Sequence, residues 1–257
     1  MSITYDNIHK GIFINRPNRF IAEVEIDGKI ENCHVKNTGR CKELLIPQAR
    51  VYVNYVENPS RATKYDLIAV EKGDLLINMD SYAPNVAFGE YLRQGKFLEN
   101  LTLIKPEAKY GTSRFDFYIE TVDSKAFIEV KGVTLEENGI AMFPDAPTER
   151  GIKHLKELAT CISKGYEAYV IFVIQMKGVS HFTPNYKTHA AFGETLEQVM
   201  NAGVHAMAFD CVVTVDKMEI DKQIPIEESG GECPLLGLAA DSSLSVDDFL
   251  ATKHDDI

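Results

Sequence analysis

Two acidic residues and a lysine stand close together near the middle of the chain: Asp116, Glu129 and Lys131. Apolar and polar residues alternate around them, which predicts two short β-strands. Because side chains two residues apart on a strand share a face, Glu129 and Lys131 should point the same way. If the two strands pair as a hairpin, Asp116 can join them. The sequence therefore predicts two carboxylates and an ammonium group in one place.

This combination suits the hydrolysis of a phosphodiester. Asp116 and Glu129, helped by the backbone carbonyl of Val130, offer the oxygen ligands that Mg²⁺ or Mn²⁺ prefers. The cation would lower the pKa of a bound water and neutralise charge on a phosphate. Lys131 could orient the attacking hydroxide or hold a phosphate oxygen. The alternative is a ladder of solvated salt bridges, which acids and lysines on strand faces commonly form.

Length and composition narrow the class of protein. The chain has 257 residues, of which 45% are hydrophobic, enough for one large or two small domains with a sizeable core. No apolar run approaches the roughly 18 residues that cross a bilayer, and the first residues lack the pattern of a signal peptide. The five cysteines include no C-x-x-C pair, which argues against a disulfide framework or a structural zinc site. We therefore expect a cytoplasmic protein without membrane contact.

The net charge of −11 argues against an extended surface for nucleic acid, because proteins that bind nucleic acid usually carry a basic balance. More than half of that charge, −6, belongs to residues 222–257, which leaves −5 on the rest of the chain. A surface for nucleic acid must therefore be a local basic patch, or some acids must be metal ligands rather than free charge.

Residues 1–82 are predicted to form a β-barrel. Alternation over residues 19–26 leads into an Asp27-Gly28 turn, which is a strong hairpin signal, and four further strand-like segments follow. Five short strands predict a small barrel such as an OB-fold, a fold that often binds oligonucleotides. The aromatic residues Phe13, Phe20 and Tyr52 could stack on bases, although their spacing favours packing in the core.

Basic residues of this region stand in loops and beside small hydrogen-bond donors, where a phosphate track could be built. Each of them could instead serve only solubility. The expected contacts of the barrel with phosphates are Arg16, Arg19, Asn37, Thr38, Gly39, Arg40, Arg61 and Lys64.

Residues 83–226 are predicted to form an α/β domain, and residues 227–257 a flexible acidic tail. Asn85 is expected to cap a helix that carries Glu90. That acid could supply a further carboxylate to a metal, or it could simply face solvent.

A second helix is predicted over residues 152–162 from its apolar spacing. The apolar run that follows, residues 168–174, is typical of a strand buried on both faces of a sheet. It ends at Gln175, and the carboxyl end of such a strand is where ligands bind in α/β sheets. Another helix is predicted over residues 190–200 and another strand over residues 206–215.

Several long motifs resemble the sugar fermentation stimulation protein A family, with similarity over about residues 8–226. The motifs are Asn18-Arg19-Phe20, Asn37-Thr38-Gly39-Arg40, Lys109-Tyr110-Gly111, Ser113-Arg114-Phe115-Asp116, Ile128-Glu129-Val130-Lys131 and the run over residues 143–155. The resemblance implies an N-terminal OB-like domain, a nuclease-like α/β domain of the PD-(D/E)-x-K class, and DNA binding without sequence specificity.

The resemblance also implies roles for single residues. Asp116 matches the first metal-binding acid of that nuclease class, Glu129 the second and Lys131 its lysine. Gln175 is similar to the additional glutamine that some members place on the next strand, and Glu90 is kept as a further candidate. On the α/β domain, the expected DNA contacts are Arg114, Arg150 and Lys153.

Two functions follow from these patterns. The first is a nuclease dependent on Mg²⁺ or Mn²⁺, in which the barrel grips the backbone of nucleic acid, with DNA as the expected partner. The alternative is a DNA-binding regulator of sugar metabolism genes, of the maltose type, on a nuclease-like fold without chemistry, because fold alone never establishes activity. A complete set of two acids and a lysine favours the enzyme, because acids facing a polyanion would weaken binding without a metal.

Overall fold

A computed structural model describes residues 3–37 and 39–227. Thr38 and the predicted acidic tail from residue 228 onward lie outside the described residues. No helix within the described part of the chain is long and apolar enough to span a bilayer.

The N-terminal part folds into a closed β-barrel. A short first strand, β1 (Ile3–Thr4), is followed by β2 (Ile8–Asn18), β3 (Ile21–Ile26), β4 (Lys29–Val35), β5 (Arg50–Tyr55), β6 (Tyr65–Lys72) and β7 (Leu75–Asn78). The hydrogen-bonded order is β4-β3-β2-β5-β6-β7, and β4 also pairs with β6, which closes β2 to β6 into a ring. This five-stranded closed barrel confirms the predicted OB-like fold.

Two features at the start of the chain differ from the prediction. The strand β2 was missed because Gly11 and Pro17 interrupt its alternation. Gly11 lies where β2 crosses β3 so closely that an added Cβ would sit 2.4 Å from a side-chain carbon of Val24. In addition, β1 does not belong to the barrel, because it pairs with the last strand of the second sheet. Its pairing covers an edge that would otherwise be open.

The rest of the chain forms an α/β domain. Its elements are α1 (Ala83–Arg93), β8 (Leu103–Tyr110), β9 (Ser113–Glu120), β10 (Lys125–Val133), β11 (Leu135–Glu137), β12 (Ile140–Phe143), α2 (Glu149–Ile162), β13 (Glu167–Ile174), β14 (His181–Pro184), α3 (Tyr186–Asn201), β15 (His205–Thr214) and β16 (Lys217–Ile224). The main sheet has the order β1-β16-β15-β13-β10-β9-β8, and β11, β12 and β14 form a small second sheet. The strands β10, β13 and β15 are parallel neighbours at the centre of the main sheet.

Helices cover both faces of the main sheet. On one face, Phe88 of α1 packs with Phe117 and Ile128 of the central strands. On the other face, α2 and α3 pack on a core that continues into the barrel without interruption. The apolar run of β13 is buried between these two layers, as its composition predicts. The sheet therefore presents one side of β10 to α1 and the other to α2.

Polar contacts join the barrel to the α/β domain where the chain passes from β7 to α1. The carboxylate of Asp80 is fully buried there and forms an ion pair with Lys36, which follows β4. The hydroxyl of Ser81 donates to the carbonyl of Lys36 at 2.6 Å. A buried charge must be paired to be tolerated, so these contacts place the loop after β4 beside the start of α1.

Candidate active site

Asp116 lies where two strands separate. The pairing of β9 with β10 ends at Phe117 and Ile128. At the preceding residue of β9, beyond the last pair, the Oδ2 atom of Asp116 accepts a hydrogen bond from the backbone N–H of Val130 at 2.7 Å. On the other side of β9, Asp116 lies opposite Glu107 of β8, where the pairing is interrupted although the register on both sides stays the same. Glu107 has a φ of 53°, a left-handed conformation that does not continue a regular strand. The carboxylate therefore lies where the ladders on both sides of β9 are interrupted.

Glu129 and Lys131 share one face of β10, as their spacing predicts. The Lys131 Nζ atom lies 2.6 Å from Oε1 of Glu129. The side chain of Glu129 is buried, with an exposed fraction of 4%. His154 of α2 also contacts Oε1 of Glu129, through its Nδ1 atom. Two cationic or polar partners therefore hold the same carboxylate oxygen.

The pKa values of the two acids move in opposite directions. Burial, followed by the charge of Glu129, raises the pKa of Asp116 to about 6, although the Val130 N–H and Lys131 act against this shift. Burial would also raise the pKa of Glu129, but Lys131 and His154 outweigh it and hold that pKa below its ordinary value. Without a further cation the pair thus carries one firmly ionised acid and one acid that protonates readily.

One carboxylate oxygen of this pair has no hydrogen-bond partner among the described residues. The Oε2 atom of Glu129 is buried and accepts no hydrogen bond from any described residue. A buried carboxylate oxygen left unpaired costs free energy. Each carboxylate oxygen of Asp116 accepts one hydrogen bond and keeps a second lone pair. The arrangement therefore fits a divalent cation with oxygen ligands, because it would satisfy Oε2 and separate the two negative charges.

Within residues 3–37 and 39–227, no group of three or more His, Cys, Asp or Glu side chains is arranged to hold a metal. A cation bound here would rest on the two carboxylates of Asp116 and Glu129, completed by water or a backbone oxygen. Mg²⁺ commonly keeps several waters and takes one or two carboxylates in this way. Whether the carbonyl of Val130 contributes remains a prediction.

Asn85 joins the site, which the sequence reasoning missed. It was expected to cap α1, but the N-cap is Tyr82, and no side chain caps the helix. Instead, Nδ2 of Asn85 donates to Oδ1 of Asp116 at 2.7 Å. The amide therefore fixes one oxygen of the carboxylate while the backbone of Val130 fixes the other.

Glu90 is not brought to this group of residues. It lies five positions after Asn85 in α1, which places it about 140° around the helix. Its carboxylate accepts hydrogen bonds from Arg93 and Gln94, and its side chain lines a small hollow with residues of β16, including Glu219. The helix thus presents an amide rather than an acid to Asp116.

His154 is the second residue that the sequence reasoning missed. It is 6% exposed and lies in the buried stripe of α2 with Gly151 and Leu158. His154 lies three residues after Gly151 and four residues before Leu158, so it faces the core on the same side of the helix. This helical spacing was the available signal that His154 is buried, and a buried polar side chain needs a polar partner. The partner is Glu129.

Gln175 follows β13 and is buried, with an exposed fraction of 1%. Its Nε2 atom donates to the backbone carbonyls of Asn78 and Asp80 at 2.9 and 3.1 Å. Its Oε1 atom faces Gly132, where an added Cβ would lie only 2.6 Å from it. Gln175 therefore ties the end of the barrel to the strand that carries Lys131.

Arg16 organises the loop after β4 rather than pointing to solvent. Its guanidinium donates to the carbonyls of Arg19, Asn37, Gly39 and Arg40 over distances from 2.7 to 3.1 Å. In the same loop, the backbone N–H of Arg40 donates to Asp145 of the α/β domain at 3.0 Å. The side chains of Arg19 and Arg40 are exposed. This loop and the turn between β2 and β3 therefore each present one exposed cation, at a place fixed by both domains.

The other predicted basic contacts are spread over the molecule. Arg61 forms an ion pair with Asp66 within the barrel, and Lys64 is exposed beside it. On the α/β domain, the guanidinium of Arg114 lies 3.4 Å from Glu107, that of Arg150 donates to His154 at 3.5 Å, and Lys153 lies 3.8 Å from Glu157. Arg150 is thus linked to the acids through His154.

Two family models match consecutive parts of the chain. The model described as the SfsA N-terminal OB domain matches residues 14–79, and the model described as the sugar fermentation stimulation protein RE domain matches residues 82–217. A sugar fermentation stimulation protein homolog of Clostridium beijerinckii is 61% identical over 86% of this chain and 98% of its own length. The homolog of Ruminiclostridium cellulolyticum is 58% identical over the same shares.

A solved structure is similar over most of both chains. It is the SfsA of Pyrococcus furiosus in complex with Ca²⁺, which is 29% identical, with a TM-score of 0.80 over 88% of this chain and 99% of that one. The barrel and the α/β domain described above are therefore shared with that protein.

Proposed function

This chain belongs to the sugar fermentation stimulation protein (SfsA) family, and from that membership and the site geometry we propose that it is a metal-dependent phosphodiesterase that binds and cleaves DNA without sequence specificity. The observation that carries the proposal is the pair of acids: the buried, unpartnered Oε2 of Glu129 beside Asp116, whose pKa is raised partly by Glu129. Two adjacent acids, one buried and one partly buried, with an unused oxygen are costly to folding, and a cation that both acids bind accounts for them.

Asp116 and Glu129 would hold the cation, Mg²⁺ or Mn²⁺, with Val130 as the candidate backbone ligand. When bound, it would neutralise charge on a phosphate and lower the pKa of a water molecule. The relative from Pyrococcus furiosus is described in complex with Ca²⁺. Ca²⁺ also takes oxygen ligands, which supports the class of cation proposed here.

The neighbouring side chains would position the reacting groups. Lys131 carries three N–H donors and uses one on Glu129, so it can also hold a phosphate oxygen or orient a water. His154 keeps the carboxylate of Glu129 in place from α2. Asn85 does the same for Asp116 from α1. Because these partners come from three separate elements, the acids cannot turn away from each other without losing hydrogen bonds.

The barrel would hold the substrate through its phosphates. Arg40 is exposed on the loop that Arg16 organises, and Arg19 is exposed in the neighbouring turn between β2 and β3. Asp145 joins the loop to the α/β domain. Phosphate contacts carry no sequence information, so binding through these side chains would be indifferent to sequence. Gln175 and Glu90 are kept as less direct candidates, since the first holds backbone carbonyls and the second lies away from the acids.

One observation favours the alternative function, a DNA-binding regulator that performs no chemistry. Lys131 and His154 already hold the carboxylate of Glu129 without any metal ion. A site of this kind can stay folded as a polar cluster, and the family description names sugar fermentation rather than cleavage. The unpartnered Oε2 of Glu129 is the feature that this alternative does not explain.

The deciding experiment is cleavage of labelled single-stranded and duplex DNA and RNA with Mg²⁺ or Mn²⁺. Glu129→Gln and Lys131→Ala should each reduce cleavage by about 100-fold or more. Matched controls are Glu137→Gln, an exposed acid on β11, and Lys125→Ala, at the far end of β10. Both controls should keep the unaltered rate. Salt-sensitive DNA binding by all proteins without any metal-dependent cleavage would support the regulator instead.

A further inference from the structure

Tyr82 is a large aromatic side chain in solvent at the start of α1. Its exposed fraction is 63%, although its backbone N–H donates to Oδ1 of the buried Asp80 at 2.9 Å. The residue is the N-cap of the helix and gives the helix no side-chain hydrogen bond. Its position is therefore fixed by the main chain, while most of its side chain is exposed. The fold itself does not account for an aromatic residue at this position.

The location of Tyr82 links the two parts of the proposed substrate path. Three residues after it, Asn85 donates to Asp116. One residue before it, Ser81 donates to the carbonyl of Lys36, at the base of the loop that carries Arg40. Tyr82 thus lies between the basic loop of the barrel and the acids of the α/β domain. A strand of nucleic acid running from one to the other would pass Tyr82, whose ring is exposed.

Phe20 is a second exposed aromatic residue on the same path. It was expected in the core, but its exposed fraction is 51%, whereas Phe13 is buried. The turn between β2 and β3 places its ring outside the barrel, and the guanidinium of Arg19 lies 6.0 Å from the ring centre. Its carbonyl accepts the N–H of Val35, immediately before Lys36. Phe20 and Tyr82 therefore flank the same short segment.

We infer that Tyr82, with Phe20, forms a stacking platform for unpaired nucleobases and that the preferred substrate is single-stranded or locally unpaired DNA. This inference rests on the proposed function, because it names the substrate class of the same site. In a duplex both faces of a base are covered by its neighbours, so an exposed ring finds no free face to contact. In a single strand the faces are free, and stacking on an aromatic side chain is indifferent to sequence.

The exposed cations and the ordered backbone of Tyr82 also favour a single strand as the bound molecule. The exposed cations Arg19, in the turn between β2 and β3, and Arg40, in the loop after β4, can follow a phosphate backbone, while the two rings take the bases. The backbone of Tyr82 is already ordered by Asp80, so binding would cost little conformational entropy beyond that of the ring. Aromatic rings beside cations are the combination found in proteins that bind single strands.

The chain contains no tryptophan, which permits a direct optical test. Tyr82→Trp would place a single indole on the platform. A single-stranded oligonucleotide should quench its fluorescence, and the blunt duplex of the same sequence should not. Val122→Trp is the matched control, because Val122 is 79% exposed in the turn between β9 and β10. Neither oligonucleotide should quench the indole there.

Affinity measurements in chelator, which keeps the strands intact, complete the test. Tyr82→Leu, which loses the ring, should weaken single-strand binding about ten-fold and leave duplex binding unchanged. Tyr82→Phe, which keeps the ring, should bind as the unaltered protein does. Equal losses for single strand and duplex, or no loss in Tyr82→Leu, would overturn the platform.

The experiments can reject the stacking platform and the nuclease activity independently. Metal-dependent cleavage by an unaltered protein whose binding ignores Tyr82 would leave the nuclease and remove the platform. Quenching at Tyr82→Trp by single strands, without cleavage, would keep the platform and remove the nuclease. Failure of the unaltered protein to bind either oligonucleotide would overturn both.

Discussion

The carboxylate of Asp116 is held by the backbone N–H of Val130, 2.7 Å away, across the gap where β9 leaves β10. In an unbroken hairpin this N–H would bond to a carbonyl of the neighbouring strand. Here the side chain takes the place of the missing strand. The acid is thereby fixed beside Glu129 by the main chain of the same strand that carries Glu129, so the separation of the two acids depends little on side-chain flexibility.

The stability of the metal-free protein should depend on pH through Asp116. Its pKa in the folded protein is about 6, against an ordinary value of 3.8, so the folded state binds the proton more tightly. The free energy of unfolding should therefore fall as pH rises from about 4 to about 6, by about 3 kcal/mol in total. Asp116→Asn abolishes this titration, and the amide of Asn85 can turn to accept from it. The variant should therefore be the more stable protein at pH 7 in chelator.

Denaturant unfolding at several pH values measures this difference. Asp123→Asn, in the exposed turn after β9, is the control and should leave the pH dependence unchanged. Addition of Mn²⁺ should raise the melting temperature of the unaltered protein and not that of Asp116→Asn, because only the former keeps both acids. A variant less stable than the unaltered protein at pH 7 would falsify this account.

His154 should act on the reaction through Glu129. His154→Ala removes a contact that lowers the pKa of Glu129, so that pKa should rise. The acidic limb of the pH–rate profile should then move to higher pH, and stability should fall by about 1–3 kcal/mol because a buried acceptor loses a partner. His154→Gln keeps a hydrogen-bond donor and should recover part of the rate at neutral pH. A uniform loss of rate at every pH would point to a structural role instead.

Arg40 should support DNA binding alone, whereas Arg16 should also support the stability of the fold. Arg40→Ala should weaken binding to all DNA sequences alike and lower the slope of log affinity against log salt by about 1, without a change in melting temperature. Arg16→Ala should lower the melting temperature as well, because four backbone carbonyls lose their donor. Calorimetry and salt-dependent binding distinguish the two. Equal melting temperatures for both variants would contradict the loop-organising role of Arg16.

Gln175 should support the junction of the two domains. Gln175→Leu leaves the buried carbonyls of Asn78 and Asp80 without their side-chain donor and should cost about 1–3 kcal/mol for each that stays unpaired. Gln198→Leu, on the exposed face of α3, is the matched control and should stay within about 0.5 kcal/mol. If Gln175→Leu lost cleavage without losing stability, its role would lie in catalysis.

Some features of this protein were predictable from local pattern. The Asp27-Gly28 turn has positive φ at both residues, 51° and 73°, as its residue types require. Glu129 and Lys131 share a face because the period of a strand is two residues. The buried strand β13 was evident from its composition. Each of these depends on neighbours within a few residues, so the chain specifies it wherever the segment comes to lie.

Other features were decided by tertiary structure. The rotation of α1 about its axis brings Asn85 rather than Glu90 to Asp116, and the packing of the helix's apolar face on the sheet, including Phe88 against Phe117, sets that rotation. The packing of α2 against the sheet brings His154 to Glu129. The sequence by itself thus determined the acids, the lysine and the strands that carry them. Which side chains surround the acids depended on how the helices pack, because contacts between distant segments leave no periodic trace in the chain.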